Sequence, residues 1–339
     1  VLHGPGDAGV VDVEPPAAGP GEAVVDVARV GVCGTDLELF SGELQYLRDG
    51  RARFPVRPGH EWSGRVAAVG AGVDPGWVGR RVTGDTMLGC RACRRCRGGR
   101  QHLCEDRREV GILGHAGALA EQLAVPARSL HALPDAVDDA LGALVEPGGN
   151  ALRAARAAGA AAGARVLVAG PGTIGLLAAM FARRAGAEVH VLGRDAQTLE
   201  FAASLGFDRC WTAESLPRLP YDAVVDASTA ESLPARAVEL VEPGGRVVLI
   251  GLAGTPSLLD TRVLALKDAT AVGVLSASPG LADTITAYAE GAVDPRPLIA
   301  ATIGLDGAAA VLSGVRPAGA GPGPKVHVVP AGAPRAGAD

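Results

Sequence analysis

No run of 18 consecutive apolar residues occurs anywhere in this chain of 339 residues, which argues against a helix that spans a membrane. The opening Val1-Leu2-His3-Gly4 has neither a basic leader nor an apolar stretch behind it, and a cytoplasmic protein is the expectation. Net positive charge is missing too. The formal charge is -5, so no global field draws nucleic acid or an anionic membrane, and small-molecule partners are expected instead. No segment repeats with a period of 20 to 50 residues, which speaks against solenoids and propellers. Cysteine is scarce, at six, and is not spaced as a disulfide framework. Four of the six fall within fifteen positions, Cys33 lies in a Gly-rich loop and Cys210 is left over, which points to metal binding in a reducing compartment.

What is present suits a globular protein: 48% hydrophobic and 20% charged residues, over a length that fits two domains better than one core. The first 150 residues carry Val-rich, roughly alternating runs such as Glu22 to Val30 and Gly64 to Val69, broken by Gly and Pro as antiparallel strands are. From Arg165 the texture changes. Apolar strands are expected at Val166 to Ala169, Glu188 to Leu192, Ala223 to Asp226, Arg246 to Ile250 and Ala271 to Leu275. Helices at Ile174 to Ala185, Ala196 to Leu205 and Leu233 to Leu240 separate the first four, so a parallel, doubly wound α/β sheet follows. A further helix over Leu281 to Glu290 precedes a Gly- and Pro-rich closing stretch, and Pro330 to Asp339 reads as a loose tail.

Gly170-Pro171-Gly172-Thr173-Ile174-Gly175 sits between an expected strand and an expected helix. Glycines in that place allow a tight turn and close approach of a dinucleotide's pyrophosphate to the helix N-terminus. An NAD enzyme of this kind carries an acidic side chain at the end of the next strand, whereas Arg there accommodates the extra phosphate of NADP. Here Gly193 stands at that end and Arg194 follows, which favours NADP; a small shift in register would instead give Asp195 the acidic role and NAD.

Cys90, Cys93, Cys96 and Cys104 can converge tetrahedrally on one zinc ion. Such a closed site is structural; the iron-sulfur spacing would need its fourth Cys sooner and a Pro after it, where this chain has Glu105. The arginines around it read as a solvated face. A second constellation is mixed. Cys33 and Thr35 lie two apart, and His60 and Glu61 are adjacent, a set that can hold zinc with a place left open for an alcohol oxygen.

Gly-Val-Cys-Gly-Thr-Asp at 31 to 36, Gly-His-Glu at 59 to 61, the four-cysteine lobe and the Gly-rich turn occur in the order seen in zinc-containing medium-chain dehydrogenases. The chain resembles that family over nearly its whole length, and within it the polyol, threonine and glucose dehydrogenase branch. That resemblance implies a GroES-like β-rich catalytic domain over residues 1–146 with the zinc lobe at about 88–106, a Rossmann domain over 147–276, and a return to the first domain over 277–339. It implies two Zn2+ per chain. Cys33, His60 and Glu61 would hold the catalytic one, with Glu146 of Glu146-Pro147 either a ligand or the partner of its water. Thr35 would pass the substrate proton outward, and Asp36 would orient His60. Glu38 stands where threonine dehydrogenases have a relay His, although glucose dehydrogenases also carry Glu there. Substrate identity is expected in Ser41 to Arg57, and assembly as a homodimer or homotetramer through the Rossmann sheet edges.

The function expected is hydride transfer between a secondary alcohol or polyol and NADP or NAD. An NADPH-dependent carbonyl or iminium reductase, and a zinc-stabilised nucleotide-binding protein without catalysis, are the alternatives.

Overall fold

The computed structural model describes residues 1–331, so the expected tail falls outside the described residues from 332 onward. Strand β1, Glu22–Val32, is long because five of its eleven residues are Val, whose branched side chains suit a pleated surface. It pairs antiparallel with β2, Glu61–Val69, in a register that sets Gly31 opposite Glu61 and Val30 opposite Trp62. Between them come helix α1, Gly34–Ser41, closed by Gly42 in the left-handed region, and the single turn α2, Gln45–Arg48. Strands β3, Arg81–Gly84, β4, Gln122–Pro126, and β5, Leu130–Ala132, extend this antiparallel sheet.

Helix α3, Val145–Ala157, leads into the second sheet. There β6, Arg165–Ala169, is followed by α4, Thr173–Arg184; β7, Glu188–Leu192, by α5, Ala196–Ser204; and a two-residue β8, Cys210–Trp211, forms one edge. Then come β9, Tyr221–Asp226, α6, Leu233–Leu240, β10, Val241–Leu249, α7, Thr261–Leu266, and β11, Thr270–Gly273. All six strands are parallel, in the order β8-β7-β6-β9-β10-β11, which places a switch point beside β6. Separate apolar clusters cover its two faces, one built on Val166, Val168 and Leu177, the other on Leu167, Tyr221 and Val224. No helix among the described residues is long and apolar enough to cross a membrane.

After α8, Leu281–Ala289, the chain returns to the first sheet. Strand β12, Ile299–Gly304, runs parallel to β13, Lys325–Val329, and β13 pairs antiparallel with β1. The first sheet thus has the order β5-β3-β2-β1-β13-β12, with β4 also on β1, and its seven strands come from both ends of the chain.

Candidate active site

The pairing of β1 with β2 builds the site. Because Gly31 faces Glu61 across the ladder, the end of one strand lies beside the start of the next, and residues nearly thirty positions apart meet. Donor atoms of Cys33, His60 and Glu61 all lie within 4.8 Å of one another. Cys33 is the N-cap of α1, and its backbone N–H donates to Asp36 Oδ2 at 2.9 Å. Asp36 Oδ1 accepts from Gly59 N–H at 3.2 Å and stands 3.4 Å from His60 Nδ1, so one fully buried carboxylate knits both loops.

The contact to His60 is electrostatic, since Nδ1 makes no hydrogen bond of good geometry. Burial works against charge on His60, but Asp36 and Cys33 raise its basicity well above the ordinary value; burial would raise Asp36, and His60 with the two N–H donors holds it low instead. An imidazole so placed is a strong donor toward a cation. Thr35 Oγ1 lies 4.0 Å from Cys33 Sγ.

Glu61 has a partner that sequence reasoning misses. Lys325 on β13 donates to Oε2 at 2.6 Å and Oε1 at 2.9 Å, and to the Val32 carbonyl at 2.9 Å. Both side chains are almost fully buried. Burial lowers a lysine's basicity, but the Glu61 carboxylate reverses this and Lys325 is held above its ordinary value. The one available signal is that Lys325-Val326-His327-Val328 alternates polar with apolar, which puts both polar groups on one face of the strand.

Glu146 is not in the tight cluster, although its charge couples to His60 and Glu61. It lies in the first turn of α3, accepts from Asn150 Nδ2 at 2.9 Å, and is pushed up to about 7 mainly by burial, with nearby Glu61 adding to the effect. His60 and Lys325 offset that burial only in part. Together with a thiol and a basic imidazole, this carboxylate makes a donor set that fits zinc.

In the lobe, the Sγ atoms of Cys90, Cys93, Cys96 and Cys104 also lie within 4.8 Å of one another. Backbone N–H groups of Cys90, Cys93 and Cys96 point at sulfurs at 3.4 to 3.5 Å, as expected where thiolates must be stabilised. Four sulfurs with no other donor fit a closed, structural metal.

The Gly-rich turn joins β6 to α4. Gly170 has φ 99°, a conformation that side chains avoid, and a Cβ on Gly175 would stand 1.9 Å from the Gly170 carbonyl oxygen. A Cβ on Gly172, by contrast, would meet nothing within 4 Å: it would project into the space in front of the helix N-terminus. Pro171, Thr173 and Ile174 complete the turn. At the end of β7, Gly193 is buried and Arg194 exposed. Asp195 is the N-cap of α5, its Oδ1 accepting from Thr198 N–H at 2.9 Å, so that carboxylate is already engaged.

Hydrogen bonds join the first 150 residues to segments after residue 250. Arg48 Nη1 reaches the Gly254 carbonyl at 3.2 Å, Ser278 Oγ donates to Asp85 Oδ1 at 2.7 Å, and Tyr288 Oη donates to the Leu144 carbonyl at 3.1 Å. In the connection from Ser41 to Arg57, Tyr46 Oη donates to Glu109 Oε1 at 3.0 Å and accepts from Arg107 Nη2 at 2.8 Å. A cavity of about 960 Å³ beside Val10, Leu119 and Leu312 is lined by none of Cys33, His60, Glu61, Glu146, the lobe cysteines or the Gly-rich turn, so the ligand cluster and that turn define the candidate site.

Comparison with known proteins agrees along the chain. Residues 19–135 match the alcohol dehydrogenase GroES-like domain and residues 173–290 the zinc-binding dehydrogenase domain. An L-threonine 3-dehydrogenase of Saccharopolyspora erythraea is 33% identical over 78% of this chain and 79% of its own length. A zinc-binding dehydrogenase from Sinorhizobium meliloti, solved with NADP, superposes with a TM-score of 0.88 at 30% identity, over 97% of this chain and 98% of that one. A short chain alcohol dehydrogenase from Escherichia coli, solved with NADH, gives 0.87 at 26% identity over 97% of each chain.

Proposed function

The chain belongs to the zinc-containing medium-chain alcohol dehydrogenase family, and from that premise we propose that it oxidises a secondary alcohol or polyol with NADP, more weakly with NAD. The observation that carries the reading is the meeting of Cys33, His60 and Glu61 in a chain that also carries a dinucleotide turn at Gly170 to Gly175. Cys33 and His60 would hold the catalytic zinc with a carboxylate from Glu61 or Glu146, and the four lobe cysteines a structural one. Bound there, zinc supplies Lewis acidity toward the hydroxyl oxygen and the nicotinamide accepts the hydride.

The chain's own groups do the rest. Thr35 takes the hydroxyl proton and passes it outward, so alcohol and oxidised cofactor become carbonyl, reduced cofactor and one released proton. Asp36 holds the loops of Cys33 and His60 at a fixed separation. We read residues 1–146 and 277–331 as one catalytic unit, and 147–276 as the cofactor unit.

NADP is preferred because Arg194 is exposed at the end of β7 while the Asp195 carboxylate caps a helix. The named relatives put L-threonine first in a substrate panel, with polyols next. The chain pairs with a second copy through β11, an edge strand with exposed Leu258 and Leu266 nearby, 86% and 88% accessible. The test is metal analysis with turnover. Two zinc per chain, one removed by a chelator together with activity on the alcohol panel, supports the proposal; one inert zinc and no turnover defeats it. Faster carbonyl reduction at every pH, with no measurable oxidation, would favour the reductase reading.

A further inference from the structure

We infer that Lys325 is a positioning residue that holds the Glu61 carboxylate outside the coordination sphere of the catalytic metal. This rests on the reading above that a metal sits at Cys33 and His60. The argument begins with the sheet. Glu61 is on β2 and Lys325 on β13, and β1 lies between them. The carboxylate can cross only because β1 offers Gly31 at that point: a Cβ there would stand 2.3 Å from Glu61 Oε2. A glycine near the end of a Val-rich strand costs strand stability, and here it leaves a passage.

The lysine is fully engaged. Its three N–H groups are matched by Oε1, Oε2 and the Val32 carbonyl, so both carboxylate oxygens are claimed by one cation. The chain contains two lysines among 32 basic residues, and one of those two is this buried side chain. A compact ammonium with three donors fits a pocket bounded by a carboxylate and a backbone carbonyl.

Charge gives the arrangement its purpose. Around a dication, the Cys33 thiolate, Asp36, Glu61 and Glu146 would leave the site with two excess negative charges; Lys325 offsets one of them. Without Lys325 the Glu61 carboxylate, 1% exposed, would have no cation but the metal. It would then turn inward and fill the position that substrate needs. Lys325 therefore keeps Glu61 as an outer charge and leaves the third protein position to Glu146.

The test uses the full-length protein with Co2+ in the exchangeable site and zinc retained in the cysteine lobe, read by the visible bands that report cobalt coordination number. In Lys325→Met the bands should weaken as a donor is added, and release to a chelator should slow by about tenfold or more. Glu61→Gln alone should leave the wild-type bands unchanged, and Glu61→Gln combined with Lys325→Met should restore them. Wild-type bands and release in Lys325→Met, or altered bands in Glu61→Gln alone, overturn the inference. Should Lys325→Met not fold, the Glu61→Gln spectrum decides by itself. A wild type that takes up no metal beyond the cysteine lobe is a different outcome: it removes the proposed function as well.

Discussion

Replacing Arg194 by Ala should change the choice of cofactor and little else. Arg194 projects into solvent from the end of β7, while Gly193 before it has no side chain and Asp195 after it is spent on Thr198 N–H. A hydrogen bond between charged groups is worth about 1.5 to 3 kcal/mol. Exposure and salt reduce it, so about 1.5 to 2 kcal/mol is the working figure, or roughly a 10- to 30-fold fall in kcat/KM for NADP. For NAD, which lacks the phosphate, the change should stay within about twofold. The assay is initial rates with one alcohol and each cofactor at two ionic strengths, and the NADP penalty should shrink at the higher. Asp195→Asn is the control, because Asn caps a helix as well as Asp does. If Asp195→Asn collapses the NAD rate, or if Arg194→Ala lowers both cofactors equally, the placement of the phosphate beside Arg194 is refuted.

Three further outcomes follow from other parts of the molecule. Thr35→Ala should lower kcat by about 10²-fold or more with zinc content unchanged, and retained turnover would remove Thr35 from the proton path. Cys104→Ser, at a buried sulfur, should lower the zinc content by one per chain and open the lobe to trypsin at Arg94, Arg95, Arg97 and Arg100; mass spectrometry of the fragments checks this, and an uncut lobe contradicts it. Leu258→Glu with Leu266→Glu should shift the protein toward monomer in light scattering without changing the thermal midpoint of the monomer, while an unchanged mass places the contact elsewhere.

The parallel sheet was legible because its strands are short apolar runs bounded by Gly-rich turns, and Glu188–Leu192 begins and ends where its alternation does. Strand β10 starts at Val241, five residues ahead of the expected Arg246, because Glu242-Pro243-Gly244-Gly245 carries no apolar period. The two-residue β8 is too short to show any period at all. Helix α1 is hidden for another reason: it is only eight residues long and its cap is a cysteine, which reads first as chemistry. In the site, Cys33, His60 and Glu61 were visible as residue types in motifs. Lys325 was not, because its meaning depends on strand order across 264 residues of sequence, which local pattern does not carry.

Strand order also supplies a way to separate positioning from mere support. Gly31 and Lys325 lie on neighbouring strands, and each is needed for the same link: one by having no side chain, the other by having a cation. A Cβ on Gly31 would force Glu61 Oε2 from 2.3 Å out to an ordinary contact, a retreat of about 1 Å. A displacement of that size is enough to break the 2.6 and 2.9 Å contacts to Lys325. Gly31→Ala should therefore give the same weakened cobalt bands as Lys325→Met, although it adds bulk and leaves every charge in place. If the lysine served only to stabilise the sheet, the two substitutions would share a loss of stability but no common spectrum. Matching spectra from two such different changes, each reversed by adding Glu61→Gln, are what release of the same carboxylate requires.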